Sequence, residues 1–356
     1  MVCAFLIPAV AAMAQADGET QGRASLGLYA DDDRVTVWSP TVSASTGLGS
    51  AQIDANASVD VVSAASVDVV TSASPGTVSE RRVQLGATLR HPLSDIVQGR
   101  TLVIGSTEKD YHALRAGLGT TAELADRNFT VDVQVLVALD RVTSTIDNGL
   151  SESRRGALLD ISLTQILDPR TYLDLILEGR SMVGYHASPY RTVPIRVPQS
   201  TGITRLPEAT PEIRMASAAR VRVRRAILDD LFLHVSYRYY LDDWEIDSHT
   251  VYALLLWQAA PSLRVGGSAR GYLQSAASFH SPRYLAQEGD APRFRTADRL
   301  LGAMDSWQVG LTTDYAFLAE TRVTLNTSVQ RFAYRDSPAQ THRWALRSSL
   351  GFEQTF

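Results

Sequence analysis

The sequence predicts an all-β chain folded as one transmembrane antiparallel β-barrel of about sixteen strands, with fourteen as the alternative. Three observations point there. Apolar residues alternate with polar ones over long stretches, short turns alternate with long polar loops, and the last strand ends on Phe356.

Taken from the start, residues 1–16 (MVCAFLIPAVAAMAQA) have the form of a cleaved signal peptide. An apolar run from Val2 to Ala12 leads into Ala12-Met13-Ala14, and Ala14-Gln15-Ala16 offers a second small-x-small site. No Lys or Arg precedes the run, which fits a start internal to a longer leader. The run is shorter than the roughly 20 apolar residues that a helix needs to span a bilayer. Residues 17–356 are then a single barrel domain. Cys3 is the only cysteine, so the mature chain has none for a disulfide, a zinc site or a thiol nucleophile.

The next segments, 24–30, 35–46 and 52–62, are rich in Ala and Ser and weakly periodic. The doubt between fourteen and sixteen strands sits here. From residue 128 the pattern sharpens: Phe129, Val131, Val133, Val135, Val137 and Leu139 alternate with Thr130, Asp132, Gln134, Leu136, Ala138 and Asp140. The stretch exceeds the ~5–6 residues of an ordinary strand and matches the ~9–11 of a tilted membrane strand. Similar alternation marks 213–224, 231–242, 263–274, 308–317 and 343–356. One face is apolar with aromatics at its ends and the other is polar, the pattern of a barrel that meets lipid outside and water inside. Short turns are expected at 125–128, 168–169, 229–230, 260–262 and 318–320, facing the periplasm. The long segments 184–212 and 276–303 then face outside.

The inward positions are charged. Arg214, Arg220, Arg222, Arg224, Arg238, Arg264 and Arg270 fall on the polar face, with Arg322 and Arg347 extending the set. Asp132, Asp140, Asp160, Asp174 and Glu178 form an earlier acidic group. Two arrangements fit: a wall segregated by sign, with a field across a wet pore, or ion pairs between neighbouring strands that hold the interior together. Asp242, Asp243, Asp247 and His249 are weak candidates for a metal, against the plainer reading of an exposed hairpin tip with Trp244 in an aromatic belt. No cofactor is implied. The seven His form no metalloprotease motif, and no nucleophile elbow or phosphate loop occurs, so an enzyme is not expected.

The formal net charge of −4 gives no basic footprint for nucleic acid. A mean hydropathy of −0.06 is too low for a helical membrane protein. The expected partners are outer-membrane lipid, the barrel assembly machinery through the strand ending at Phe356, and small solutes.

Several phrases carry a family resemblance: VDVVSAASVDVVTSAS (59–74), TEKDY (107–111), TQILDP (164–169) and GYHASPYRTV (184–193), then YRYYLDDWEIDSHT (237–250), GYLQSAASFH (271–280) and TADRLLG (296–302). In this order the chain resembles DUF3570, an uncharacterised family of predicted outer-membrane barrels. Gly271, His186 and His280 depart from its pattern, where Tyr, Leu and Tyr are expected. The resemblance implies a barrel in the outer membrane of a Gram-negative bacterium and no particular reaction. The residues favour a porin-like channel for small polar or anionic solutes with an Arg-rich lumen. The alternative is a non-conducting barrel serving as surface receptor, partner scaffold or structural protein.

Overall fold

The computed structural model describes residues 20–64, 78–147, 149–196, 202–286, 291–337 and 340–356. The leader reading of 1–16 and residues 65–74 of the phrase VDVVSAASVDVVTSAS lie outside them. The strands, in chain order, are β1 (Gln21–Asp31), β2 (Val35–Leu48), β3 (Ala51–Ala64), β4 (Val78–Pro92), β5 (Val97–Thr107), β6 (Tyr111–Leu124) and β7 (Phe129–Thr143). There follow β8 (Ser151–Asp168), β9 (Thr171–Gly184), β10 (Thr192–Arg196), β11 (Ile203–Pro207), β12 (Ile213–Ala226) and β13 (Leu231–Asp242). The last are β14 (Asp247–Ala260), β15 (Leu263–Gln274), β16 (Tyr284–Leu285), β17 (Met304–Leu318), β18 (Thr321–Tyr334) and β19 (His342–Thr355).

Among the described residues, all strands except β10, β11 and β16 close into one antiparallel barrel of sixteen. β1 seals it against β19, from Gln21 opposite Thr355 to Asp31 opposite Ala345. The weakly periodic N-terminal segments form three full strands, which excludes fourteen. Their weak signal comes from Ala and Ser, which sit on either face of a paired strand without marking one as apolar and the other as polar.

Register fixes the two faces. Val135 lies between Leu118 and Leu159, and all three are exposed on the outer surface. One residue earlier in phase, Asp132 lies between Thr121 and Ser162 and faces inward. Outward aromatics gather near both ends. Trp38, Tyr237, Tyr239, Trp307 and Trp344 stand at one end, and Trp257, Tyr315, Phe317 and Phe352 at the other. Such paired girdles flank the apolar band of membrane barrels.

The turns expected at 125–128, 168–169, 229–230, 260–262 and 318–320 lie at the end that holds both termini, where the Phe356 amide donates to the Thr20 carbonyl at 2.8 Å, while the short connections 32–34, 108–110 and 243–246 lie at the other end. The long segments lie at the opposite, loop end. There β9 leaves the wall at Gly184, whose φ is +124°; a Cβ would meet the Ser153 carbonyl at 2.2 Å, so only glycine fits. The segments 185–212 and 275–303 contain more structure than loops: β10 pairs antiparallel with β11 and parallel with β16. Val193, Ile195 and Ala286 form the small core of this cap.

The cap is pinned to the rim. The Glu208 carboxylate accepts from the Ser188 amide at 2.6 Å and from Arg191, and it binds the Thr296 hydroxyl, so both segments share one buried acid. Tyr190 reaches Thr145 beyond β7, while buried Arg299 pairs with Asp33 beyond β1 and bonds Gln340 before β19. The cap therefore bridges the mouth from the β7 side to the β1 side. Trp244 belongs under it, a correction to the belt placement expected from the sequence. It is 3% exposed, packed with Ile246, Ala277 and Phe279, and its indole N–H donates to the Ile213 carbonyl at 3.0 Å. The 275–303 segment folds back over a tip that the sequence presents as an open hairpin.

Candidate functional site

The densest charge in the lumen lies on β8, β9, β12 and β13. Asp174, with no exposed surface, accepts Arg222 Nε at 2.8 Å and Arg224 at 2.9 and 3.1 Å, and the Thr164 hydroxyl at 2.7 Å. Four residues further along β9, Glu178 accepts Arg238 at 2.7 Å, with Arg220 at 3.8 Å and Arg180 at 3.7 Å. Asp160 sits opposite Glu178 in register and makes no ion pair among the described residues. Arg180, Arg220, Arg222, Arg224 and Arg238 thus outnumber Asp160, Asp174 and Glu178 within one patch. The side chains of Arg220, Arg222 and Arg224 stay 37%, 36% and 36% exposed, and that of Arg180 54%.

The local reason is strand periodicity. Arg220, Arg222 and Arg224 alternate on one face of β12 at about 6.8 Å per step. Opposite them in β9 are Ile176, Asp174 and Tyr172. Three cations therefore face one acid and one aromatic ring directly across the pair, with Glu178 diagonal to Arg220 at 3.8 Å and Arg224 5.4 Å from the Tyr172 ring centroid.

The other expected positions also face the lumen, already partnered. Asp132 takes Arg100 at 3.1 Å, Asp140 takes Arg154 at 2.7 Å, and Arg264 takes Asp314 at 2.9 Å. Arg214 bonds Asp242 at 2.6 Å and lies 4.3 Å above Trp244. The two signs are interleaved on neighbouring strands, not segregated to opposite walls. Every one of these acids sits one strand or two from an arginine.

Arg270 differs. It has no ion pair among the described residues and lies 5.0 Å over Tyr272. Arg347 likewise lies 5.6 Å over Tyr29, with no ion pair among the described residues.

The metal candidates do not converge. Asp242 points inward with its carboxylate filled by Arg214, Tyr240 and the amides of Trp244 and Ile246. Asp247 and His249 lie on the outer face, where His249 bonds the Tyr237 hydroxyl at 2.7 Å and packs on Tyr239. Among the described residues no group of three His, Cys, Asp or Glu is placed to hold a metal.

Sequence reasoning missed Arg180, Arg100, Arg154 and the inward tyrosines. Arg180 shares its phase with Asp174 and Glu178 and was open to the same argument. The tyrosines carry a readable signal too: Arg238 with Tyr240, and Arg270 with Tyr272, are spaced by two and share a strand face. The Arg299–Asp33 contact joins residues far apart in sequence and left no such trace.

The family model described as "Protein of unknown function (DUF3570)" matches residues 137–349. No curated protein matches the chain in sequence. Among solved structures the chain resembles CdiB from Acinetobacter baumannii, with a TM-score of 0.54 and 9% identity over 95% of this chain; it spans 60% of the CdiB chain. A bacterial polysaccharide outer membrane secretin gives 0.50 at 10% identity, over 94% of this chain and 97% of that one. The CymD monoaromatic hydrocarbon channel gives 0.47 at 8% identity, over 97% and 90%. At these identities the likeness is one of fold, and the fold is that of outer-membrane β-barrels.

Proposed function

The chain belongs to the DUF3570 family, and from that premise we propose that it is a porin-like channel of the Gram-negative outer membrane, passing small polar or anionic solutes. In this reading a cleaved leader exports it, the strand ending at Phe356 presents it to the assembly machinery, the turn end faces the periplasm and the capped end faces outside. It works by transport, not catalysis.

One observation carries the selectivity: five arginines around Asp174 and Glu178 exceed the acids beside them, and they remain partly open to the lumen. Sixteen strands enclose an aqueous interior unless side chains or loops fill it. An excess of fixed cations along that interior draws anions, over a range set by the ~8 Å screening length of physiological salt. The bias is therefore modest at high salt and grows as salt falls. Reversing Arg222 to Glu places two carboxylates beside Arg224. The reversal potential of the refolded protein in a planar bilayer should then move toward cations with its gel mobility unchanged. An unmoved reversal potential would leave the charges a purely structural wall.

A second reading has its own support. The cap is tied to the rim on both sides of the mouth by Tyr190–Thr145 and Arg299–Asp33. A receptor, scaffold or structural barrel without conductance would use such a fixed outer surface. It predicts a silent bilayer.

A further inference from the structure

Around the barrel from the five-arginine patch, the wall formed by β14, β15, β17, β18 and β19 is built differently. A hollow of about 320 Å³ opens there, lined among others by Tyr252, Ser268, Gln308, Thr312, Ser328 and Arg347, and no carboxylate lines it. In register, Arg270 lies between Tyr252 on β14 and Gln308 on β17, two of the lining residues. Arg347 lies opposite Ser328, a third. The two guanidiniums therefore bracket a patch of neutral hydroxyls and amides.

Among the described residues neither guanidinium has an acid. Arg347 and Arg238 are the charged side chains that act on Arg270, and both are cations. Each is instead braced by an aromatic face, Arg270 over Tyr272 and Arg347 over Tyr29. These tyrosines are themselves anchored: Tyr29 donates to Asp31 at 2.8 Å and Tyr272 donates to Gln274. Stacking holds a guanidinium in place while leaving its in-plane N–H groups open, and that planar fork suits carboxylate and phosphate oxygens. Arg100, Arg154, Arg222, Arg224 and Arg238 have protein carboxylates for that purpose. Here the place is open, and the repulsion among the cations is relieved by whatever anion enters.

We propose that Arg270 and Arg347 form an oxyanion-binding subsite, which holds the carboxylate or phosphate group of a small organic anion with its body in the hollow beside Gln308 and Ser328. The hollow lies near the lower end of the ~300–1,000 Å³ range of small-molecule sites. The subsite rests on the channel reading for the route by which solute arrives, but not for binding itself.

The test uses the full chain refolded in detergent, titrated calorimetrically with succinate, with inorganic phosphate and with neutral glycerol. Chloride current through bilayers is recorded in parallel as succinate or phosphate is added. The wild type should bind at least one anion saturably, glycerol not at all, and the same anion should block chloride current at matching concentrations. Arg270→Gln and Arg347→Gln should each weaken binding about tenfold and together abolish it. Arg115→Gln, on β6 across the barrel, should change it less than threefold. Which anion binds separates the carboxylate from the phosphate assignment. Binding without current would keep the subsite and overturn the channel. Current without saturable binding, or equal loss in Arg115→Gln, would overturn the subsite and leave the channel standing. The single variants and unchanged heat-modifiable mobility guard against misfolding.

Discussion

The two arcs of the lumen wall both pair arginines with acids, as Arg264 is with Asp314, but two arginines on the second arc are held in another way. On β7 to β13, Asp132, Asp140, Asp174, Glu178 and Asp242 lie within ion-pair distance of one or more guanidiniums, as Asp140 does with Arg154 and Asp174 with Arg222 and Arg224. On β15 and β19, Arg270 and Arg347 lean on tyrosines and have no acid. The difference teaches that charge in this lumen serves two purposes. Paired charge welds neighbouring strands, and only its excess over the acids, as around Asp174 and Glu178, acts on solute. Unpaired charge faces solute, and its removal leaves the strands as firmly joined as before.

Stability measurements separate the arcs. Asp174→Ala leaves Arg222, Arg224 and the Thr164 hydroxyl without their shared acceptor. Loss of one partner in a buried pair costs ~3–5 kcal/mol, and the partly hydrated arginines reduce that to about 2–3 kcal/mol. The heat-modification midpoint should fall clearly. Arg299→Ala should come next, at about 2 kcal/mol, but confined to the cap because Arg299 joins the 275–303 segment to Asp33. Its readout is faster proteolysis within that segment with the barrel midpoint unchanged. Arg270→Gln should cost no more than about 0.5–1 kcal/mol, the value of one cation–π contact. A drop as large as that of Asp174→Ala would erase the distinction between the arcs.

The smallest effect concerns pH and again separates cap from wall. Burial pushes the His280 imidazole below its ordinary range, against the opposing pull of Asp298 and Asp336. With the folded value below the unfolded one, the unfolded segment binds the proton first as pH falls. Cap stability is therefore whole above about pH 6.5 and declines below it. Proteolysis of the cap should accelerate between about pH 6.5 and 5, and His280→Gln should flatten that dependence. Acceleration that persists in His280→Gln would place the sensitivity elsewhere.

The barrel was legible because a period of two is imposed by the sheet itself. Val131 to Leu139 announce a strand, and their partners Asp132 and Asp140 announce which face is wet. The N-terminal strands were faint because Ala and Ser at 24–30 and 35–46 satisfy a closed sheet without marking its faces. The charges were legible by position, but not by pairing. Register decides that Arg222 meets Asp174 across β9 and β12, and register depends on turn geometry that composition does not encode. The cap was least legible. Its sheet joins segments some ninety residues apart, through strands as short as Tyr284–Leu285, and burial of Trp244 follows only from that fold-back.

Anion passage through the lumen is read from the reversal potential in a planar bilayer. Refolded wild-type chain is held across a potassium chloride gradient at high and then at low mean salt. The account predicts measurable conductance with a reversal potential displaced toward that of chloride, the displacement growing as salt is lowered. A reversal potential displaced toward potassium, or a bilayer that stays silent with correctly folded protein, would contradict it.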